Sequence, residues 1–242
     1  MRLVVTTWNM QGARGLDIDV AAAHIRTVGS DVVLFQEVQR HQARRLAQAL
    51  DADSLSWAFK HWPIRTRPEG MAVLGVTVPT KARATALSYR WQFWNWRRRI
   101  AQIAHVDPLM LVNLHLSTYA EQDRRGREVA RVVQLLRLPA LVAGDLNERP
   151  DGAMSRRMAT AGMRDAWLAT HTDPDDAGFT NWTSRKRRWS GPTNQRIDYV
   201  WASPEVEVAA AQLPRHTDDG FAVFPDLSDH LPLTVTVEVG GR

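Results

Sequence analysis

Four short segments carry residue types that suit metal-assisted hydrolysis of a phosphoester: Trp8-Asn9, Gln36-Glu37, Gly144-Asp145-Leu146-Asn147 and Ser228-Asp229-His230. Each stands at or beside an apolar run. Hard oxygen ligands such as Glu37 and Asn9 suit Mg2+, which keeps several waters and binds through one or two carboxylates plus substrate phosphate. Asp145 and Asn147 lie two apart, so an extended backbone turns both to one side. With Gly144 allowing close backbone approach, that spacing can hold a phosphate and a water together. His230 titrates near neutrality, and an acidic partner would fix its tautomer for proton abstraction from water. Asp198, inside the strand-like run Arg196-Ile197-Asp198-Tyr199-Val200, needs such a partner, because an unpaired acid within a strand is costly. Taken singly, each residue has a plain structural reading. Asn9 is a turn former, Glu37 a solvated acid, His115 a hydrogen-bonded core histidine. Packing gives no reason for all of them to recur at strand ends in this order.

The elements that must position these groups follow from periodicity. Apolar runs bounded by turn signals read as strands: residues 3–8, 31–35, 71–78, 100–106, 109–116, the short 141–143, 197–201, 206–210 and 233–239. Helices are expected at 17–28, 41–50, 121–136 and 152–161, the third with Val129, Val132, Val133 and Leu136 on one face. Arg124, Arg125, Arg127 and Arg131 read as its exposed face. Strands and helices mix without strict βαβ alternation. That favours packed sheets with outer helices over a doubly wound parallel sheet. Residues 171–195 form a long polar segment, a length that is usually functional or disordered. A linker is not evident, and one domain over residues 1–242 is expected.

Composition narrows the classes. With 31 Lys and Arg against 26 Asp and Glu, the chain carries a formal charge of +5. Nearly all the basic residues are arginine; the lysines are Lys60, Lys81 and Lys186. Arginine's planar fork suits phosphate, although biased codon usage would give the same composition. Without cysteine there are no disulfides, zinc–thiolate sites or thiol nucleophiles. No signal peptide or apolar stretch of membrane-spanning length is seen, so a cytoplasmic protein is the default, with a secreted mature domain as the alternative.

The ordered set Trp8-Asn9-x-Gln11-Gly12, Gln36-Glu37, Asn113-Leu114-His115-Leu116, Gly144-Asp145-Leu146-Asn147, Arg196-Ile197-Asp198-Tyr199 and Ser228-Asp229-His230-x-Pro232 resembles the endonuclease/exonuclease/phosphatase superfamily with the DNase I-like fold. Six motifs in family order are specific for the superfamily but not for a substrate. The resemblance implies an α/β fold: a four-layer α-β-β-α sandwich of two mostly antiparallel sheets flanked by helices, its site at one rim. It implies Mg2+, with Mn2+ or Ca2+ as alternatives, held by Glu37 and Asn9 with Asp229 sharing. It further implies that Asn147 and His115 hold the scissile phosphate, Asp198 orients His230, and Asp145 positions the water. Whether Asp145 or His230 activates that water stays open. Glu69 falls where some members carry an acid that pairs with the histidine at 115. Abasic-site repair members usually have tyrosine there and Asn or Asp at position 11, which points away from repair. The Trp-Asn-x-Gln-Gly form is similar to that of the nuclease subunit of distending toxins.

Two basic, aromatic stretches bear on substrate. In Arg90-Trp91-Gln92-Phe93-Trp94-Asn95-Trp96-Arg97-Arg98-Arg99 the aromatics occupy both parities, so one strand face cannot bury them all. Arg185-Lys186-Arg187-Arg188-Trp189 precedes Asp198. Arg98, Arg99, Arg187 and Trp94 are therefore candidates for phosphate contact and base stacking on nucleic acid. An anionic lipid surface or a dimer contact would use the same composition. The expectation is a metal-dependent phosphodiesterase, most readily a nuclease. A phospholipid or inositol-phosphate esterase using the same site is the alternative. A catalytically silent binding module is the alternative of another class.

Overall fold

The computed structural model describes residues 1–61, 68–92, 95–173, 175–182, 193–215 and 224–240. Its strands are β1 (Arg2–Asn9), β2 (Val32–Gln39), β3 (Ser54–His61), β4 (Glu69–Gly75), β5 (Ala82–Gln92), β6 (Asn95–Val106), β7 (Leu109–His115), β8 (Ala140–Asp145), β9 (Arg164–Asp165), β10 (Asp198–Ala202), β11 (Val206–Gln212) and β12 (Leu233–Val239). The helices are α1 (Ile18–Thr27), α2 (Arg40–Ala49), α3 (Gln122–Leu135), α4 (Ala153–Thr160), α5 (Ala166–Thr170) and α6 (Phe224–Leu227). The strands form two mixed sheets of six among the described residues, ordered β11-β12-β1-β2-β4-β3 and β5-β6-β7-β8-β10-β9. One pairing, His61 with Arg97, joins them at a corner. Each sheet holds one parallel pair, β1/β2 and β7/β8, and is otherwise antiparallel.

The layers follow from period-2 alternation. Leu3, Val5, Val32, Leu34, Leu111, Leu141, Ala143, Val200 and Val235 face between the sheets. Their neighbours point outward: Trp8, Val33 and Phe35 meet Ile18, Ala22, Ile25 and Leu46 of α1 and α2. On the other side Val112 and Val142 meet Val129 and Val132 of α3 and Met154 and Met158 of α4. Strands buried on both faces read as continuous apolar runs, which is why they were visible in the sequence.

Strands β3 and β5 and helix α5 escaped the periodicity reading. β3 is half-buried and mixes Ser, Trp, Lys and His without a continuous apolar run. The expected strand at 100–106 starts at Asn95 and pairs with β5 in a long hairpin, Trp91 opposite Trp96. Arg125 is not on an exposed face. It is 1% exposed and ion-paired to Glu148 at 2.6 Å. That pair secures the loop after β8, since Glu148 also accepts from the backbone N–H of Met154 at the start of α4. Among the described residues, no helix is long and apolar enough to cross a membrane.

Candidate active site

The alternation that buries Leu111, Ala143 and Val200 carries on to the rim, where the inward positions become His115, Asp145 and Asp198. Register aligns them: His115 lies opposite Asp145, and Asp145 opposite Asp198. In the facing sheet, Asn9 ends β1 opposite Gln36 of β2. The C-terminal ends of both parallel pairs thus meet at one rim, around a cleft of about 220 Å³.

Local backbone departures aim the side chains. β2 bulges between Phe35 and Val38, and Glu37 adopts φ +51°. Bulges re-aim side chains beside functional sites. Here Gln36 turns into the inter-sheet space while Glu37 faces the cleft, 27% exposed. Asn147 (φ +53°) and Gln11 (φ +43°) are also left-handed, and both line the cleft. Left-handed residues other than glycine are costly and gather where surrounding structure enforces them. Gly144, at φ +136°, lets β8 approach β7 so closely that a Cβ there would lie 2.0 Å from the Leu114 carbonyl oxygen.

Three polar pairs span the seam between the sheets. Asn9 Nδ2 donates to Asp145 Oδ2 at 3.0 Å. His230 Nδ1 donates to Asp198 Oδ2 at 2.8 Å, and Thr180 Oγ1 donates to the same oxygen at 2.6 Å. Lys60 Nζ lies 2.8 Å from His115 Nδ1. An ammonium has no acceptor, so His115 accepts through Nδ1 and carries its proton on Nε2. That nitrogen points between Glu37 Oε1 and Asp145 Oδ2, 3.7 Å from each. His230 Nε2 similarly faces Asp145 Oδ2 at 3.9 Å and Asp229 Oδ1 at 3.7 Å. Behind the site, Gln36 Nε2 donates to Asn113 Oδ1 at 2.8 Å, and Asn113 Nδ2 reaches the carbonyls of Phe35 and Ala72 across the sandwich.

Burial and charge set the protonation of these groups. His115 is held well below its usual range, first by burial and then by Lys60 and Arg99, and is neutral. Burial would lower His230 too, but Asp198, with Asp145 and Asp229, outweighs it and pushes the imidazole up to about 10. Burial raises Asp145 to about 7 against the pull of His230. Burial also raises Asp229, with Glu37 adding to the rise. Lys60 falls to about 8, burial exceeding the attraction of Glu37.

Among the described residues, Asp145, Asp198 and His230 form a cluster tight enough to hold a metal ion. Within it the Asp198 carboxylate is already bonded to His230 and Thr180. The expected ligand set lies alongside. Glu37 opens to the cleft, and Asp229 Oδ1 is buried without a hydrogen-bond partner. Asp145 Oδ1 accepts from the backbone N–H of Asn147 at 2.9 Å. Two carboxylates and the Asn9 amide form a hard oxygen set that fits a divalent cation.

Of the predicted residues that are described, Asn9, Glu37, His115, Asp145, Asn147, Asp198, Asp229 and His230 come together at this rim, and Glu69 needs a correction. Glu69 does not pair with His115, whose two nitrogens face Lys60 and the Glu37–Asp145 gap. It sits opposite His61 in the ladder, with 3.3 Å between Glu69 Oε2 and His61 Nε2. Arg98 and Arg99 line the cleft, Arg98 bonded to the Phe59 carbonyl at 2.9 Å. Trp94, Arg187 and the run 185–189 lie outside the described residues. Lys60 and Thr180 were not anticipated. Lys60, one of few lysines and set among aromatics, offered a signal; Thr180, in the polar segment, offered none.

Residues 6–230 match the profile of the Endonuclease/Exonuclease/phosphatase family. Comparison with curated proteins gave no match. Among solved structures, an endonuclease/exonuclease/phosphatase from Beutenbergia cavernae superposes with a TM-score of 0.77 at 24% identity, over 99% of this chain and 72% of that one. The human Nocturnin catalytic domain, solved with a bound sulfate anion, gives 0.71 at 18% identity over 99% and 94%. Truncated Caenorhabditis elegans TDP2 gives 0.66 at 21% identity over 98% and 97%. These likenesses bear out the sandwich of two sheets flanked by helices.

Proposed function

The chain belongs to the endonuclease/exonuclease/phosphatase family, whose members are generally phosphoester hydrolases, and from that premise we propose that it is a divalent-metal-dependent phosphodiesterase acting on nucleic acid. The observation that carries this reading is the His230–Asp198 pair facing Asp145 across the cleft from Glu37 and His115. Glu37, Asn9 and Asp229 are the proposed metal ligands. A divalent cation held by these residues would supply positive charge beside the phosphoryl and leaving oxygens and would offset the carboxylates that keep His230 protonated.

The remaining roles belong to the chain. His115, neutral and protonated on Nε2, donates to a phosphoryl oxygen lying between Glu37 and Asp145. Asn147 Nδ2 uses one hydrogen on the Leu116 carbonyl and offers the other to the same phosphate. Asp145 and His230 hold the attacking water in the gap between Asp145 Oδ2 and His230 Nε2. His230 is the base rather than Asp145. The Asp145 carboxylate already accepts from Asn9 and Asn147, whereas His230 Nε2 has only charged neighbours at 3.7 and 3.9 Å. Asp198 holds the proton on Nδ1 and leaves Nε2 to accept. Arg98 and Arg99 at the cleft wall favour a polyanionic substrate.

The test is cleavage of labelled single- and double-stranded oligonucleotides with Mg2+, Mn2+ or EDTA, run beside hydrolysis of a choline phospholipid and an inositol phosphate. Metal-dependent cleavage that His230→Ala reduces by about 10³-fold or more is expected. Activity on the lipid or inositol phosphate alone would replace the substrate and keep the chemistry. Inertness toward every phosphoester with every metal would leave only a binding role.

A further inference from the structure

A second cleft, larger at about 560 Å³, lies beside the catalytic one without containing any of its residues. Its volume falls in the range of small-molecule pockets, ~300–1,000 Å³. Trp57 and Phe59 of β3 form its apolar wall, their ring centroids 6.5 Å apart at 54°. The indole is fixed by a hydrogen bond from Nε1 to the Val38 carbonyl at 3.0 Å. Arg40, His41 and Arg44, all exposed, line it from the start of α2. No acidic residue lines the cleft among the described residues, and none occupies the first turn of α2. Cations are unfavourable in the first turn of a helix unless an anion answers them.

The two clefts adjoin. Glu37 faces the catalytic cleft, while Gln39 and Arg40, two and three residues on, line the second. Arg98 lines the catalytic cleft and stands over the Phe59 ring, 5.5 Å from its centroid. An aromatic wall, a rim that carries Arg40 and Arg44 with no acid among its described residues, and continuity with the proposed phosphate site point to a ligand with a flat ring and a negative charge one link away. We propose that this cleft is a base-binding subsite. It takes an unstacked nucleobase flanking the scissile phosphate against Trp57 and Phe59, with Arg40 and Arg44 on the neighbouring phosphate. The proposal rests on the nucleic-acid reading above. It predicts preference for single-stranded or frayed substrate, because a base within a duplex is held in its stack.

The test uses short single-stranded oligonucleotides with one cleavable phosphodiester, the other linkages being phosphorothioate. The nucleotide on one side or the other of that bond carries either its base or an abasic tetrahydrofuran. For the wild type, loss of the base on one side raises KM about tenfold. Phe59→Ala abolishes that preference, and Arg44→Ala, at an exposed position, raises KM about threefold for the base-bearing substrate. 2-Aminopurine at the same position is quenched on binding to the wild type and less so to Phe59→Ala. Cleavage with equal KM for base-bearing and abasic substrates overturns the subsite and leaves the nuclease reading intact. No cleavage of any oligonucleotide, with bis-p-nitrophenyl phosphate still hydrolysed, sinks the nucleic-acid reading and the subsite with it.

Discussion

Replacing Lys60 with methionine should make the protein more stable at neutral pH and less active. Lys60 is 2% exposed, and its ammonium falls from 10.5 to about 8 because burial outweighs the attraction of Glu37. At ~1.4 kcal/mol for each tenfold change in proton affinity, keeping it charged costs about 3 kcal/mol. Methionine removes that cost but leaves His115 Nδ1 buried without its donor, a loss of ~1–3 kcal/mol. The balance is a gain of about 1 kcal/mol, or about 2–4 °C in Tm for a chain of this size. The pH dependence fixes the cause. A cation depressed in the folded state binds fewer protons there than in the unfolded chain between about 8 and 10.5. Wild-type stability therefore rises across that window relative to the variant, and the sign of the difference reverses at its upper end. Activity should move the other way. Without Lys60 the His115 imidazole is free to change tautomer or turn, and misplacement of such a group costs about 10²-fold in kcat. Calorimetry of both proteins at pH 7 and 10.5, long-range ¹⁵N–¹H NMR of His115, and kcat on a simple diester are the measurements. A variant less stable than wild type at pH 7, or one with unchanged kcat and an unchanged His115 tautomer, refutes the reasoning.

Asp198→Asn should lower kcat by about 10³–10⁴ with little change in KM, since an amide cannot hold the proton on His230 Nδ1. The same change should flatten the alkaline loss of stability due to His230. That imidazole is raised from 6.5 to about 10, so its contribution is full below 6.5 and disappears as pH climbs to about 10; urea titrations at pH 6 and 10 read it. Saturating Mg2+ or Mn2+ should raise the Tm of the wild type, by about 3 kcal/mol of stabilisation at a hundred times Kd. Glu37→Gln should lose most of that shift, and a variant as responsive as wild type would remove Glu37 from the ligand set. Gly144→Ala should destabilise by about 3 kcal/mol or more in chemical denaturation, because its Cβ would meet the Leu114 carbonyl at 2.0 Å and the backbone sits at φ +136°.

Most of the site was legible because its residues end continuous apolar strands. His115, Asp145 and Asp198 continue an inward parity begun by Leu111, Ala143 and Val200, and that parity can be counted without coordinates. Glu37 likewise ends an apolar run, whereas Asp229 lies in the loop between α6 and β12 and its ligand role came only with the family resemblance. Four things were not countable. Which strand lies beside β4 is set by tertiary packing, so the pairing of Glu69 with His61 of β3 instead of His115 of β7 had no local cue. β3 lacked an apolar run, and with it went Lys60, the actual partner of His115. Arg125 looked solvated by composition, yet Glu148 draws it inside. Thr180 reaches Asp198 from an irregular segment, where periodicity carries no information.

The contacts Asn9–Asp145, Lys60–His115 and Asp198–His230 share one property: each joins a residue of one sheet, or of the loop leading into it, to a residue of the other. A folding intermediate with either half assembled alone would contain none of them. The arrangement proposed for hydrolysis therefore forms only when the two sheets meet. Whatever keeps the halves from sliding, the Gln36–Asn113 clasp among them, would set that arrangement from behind the reacting groups.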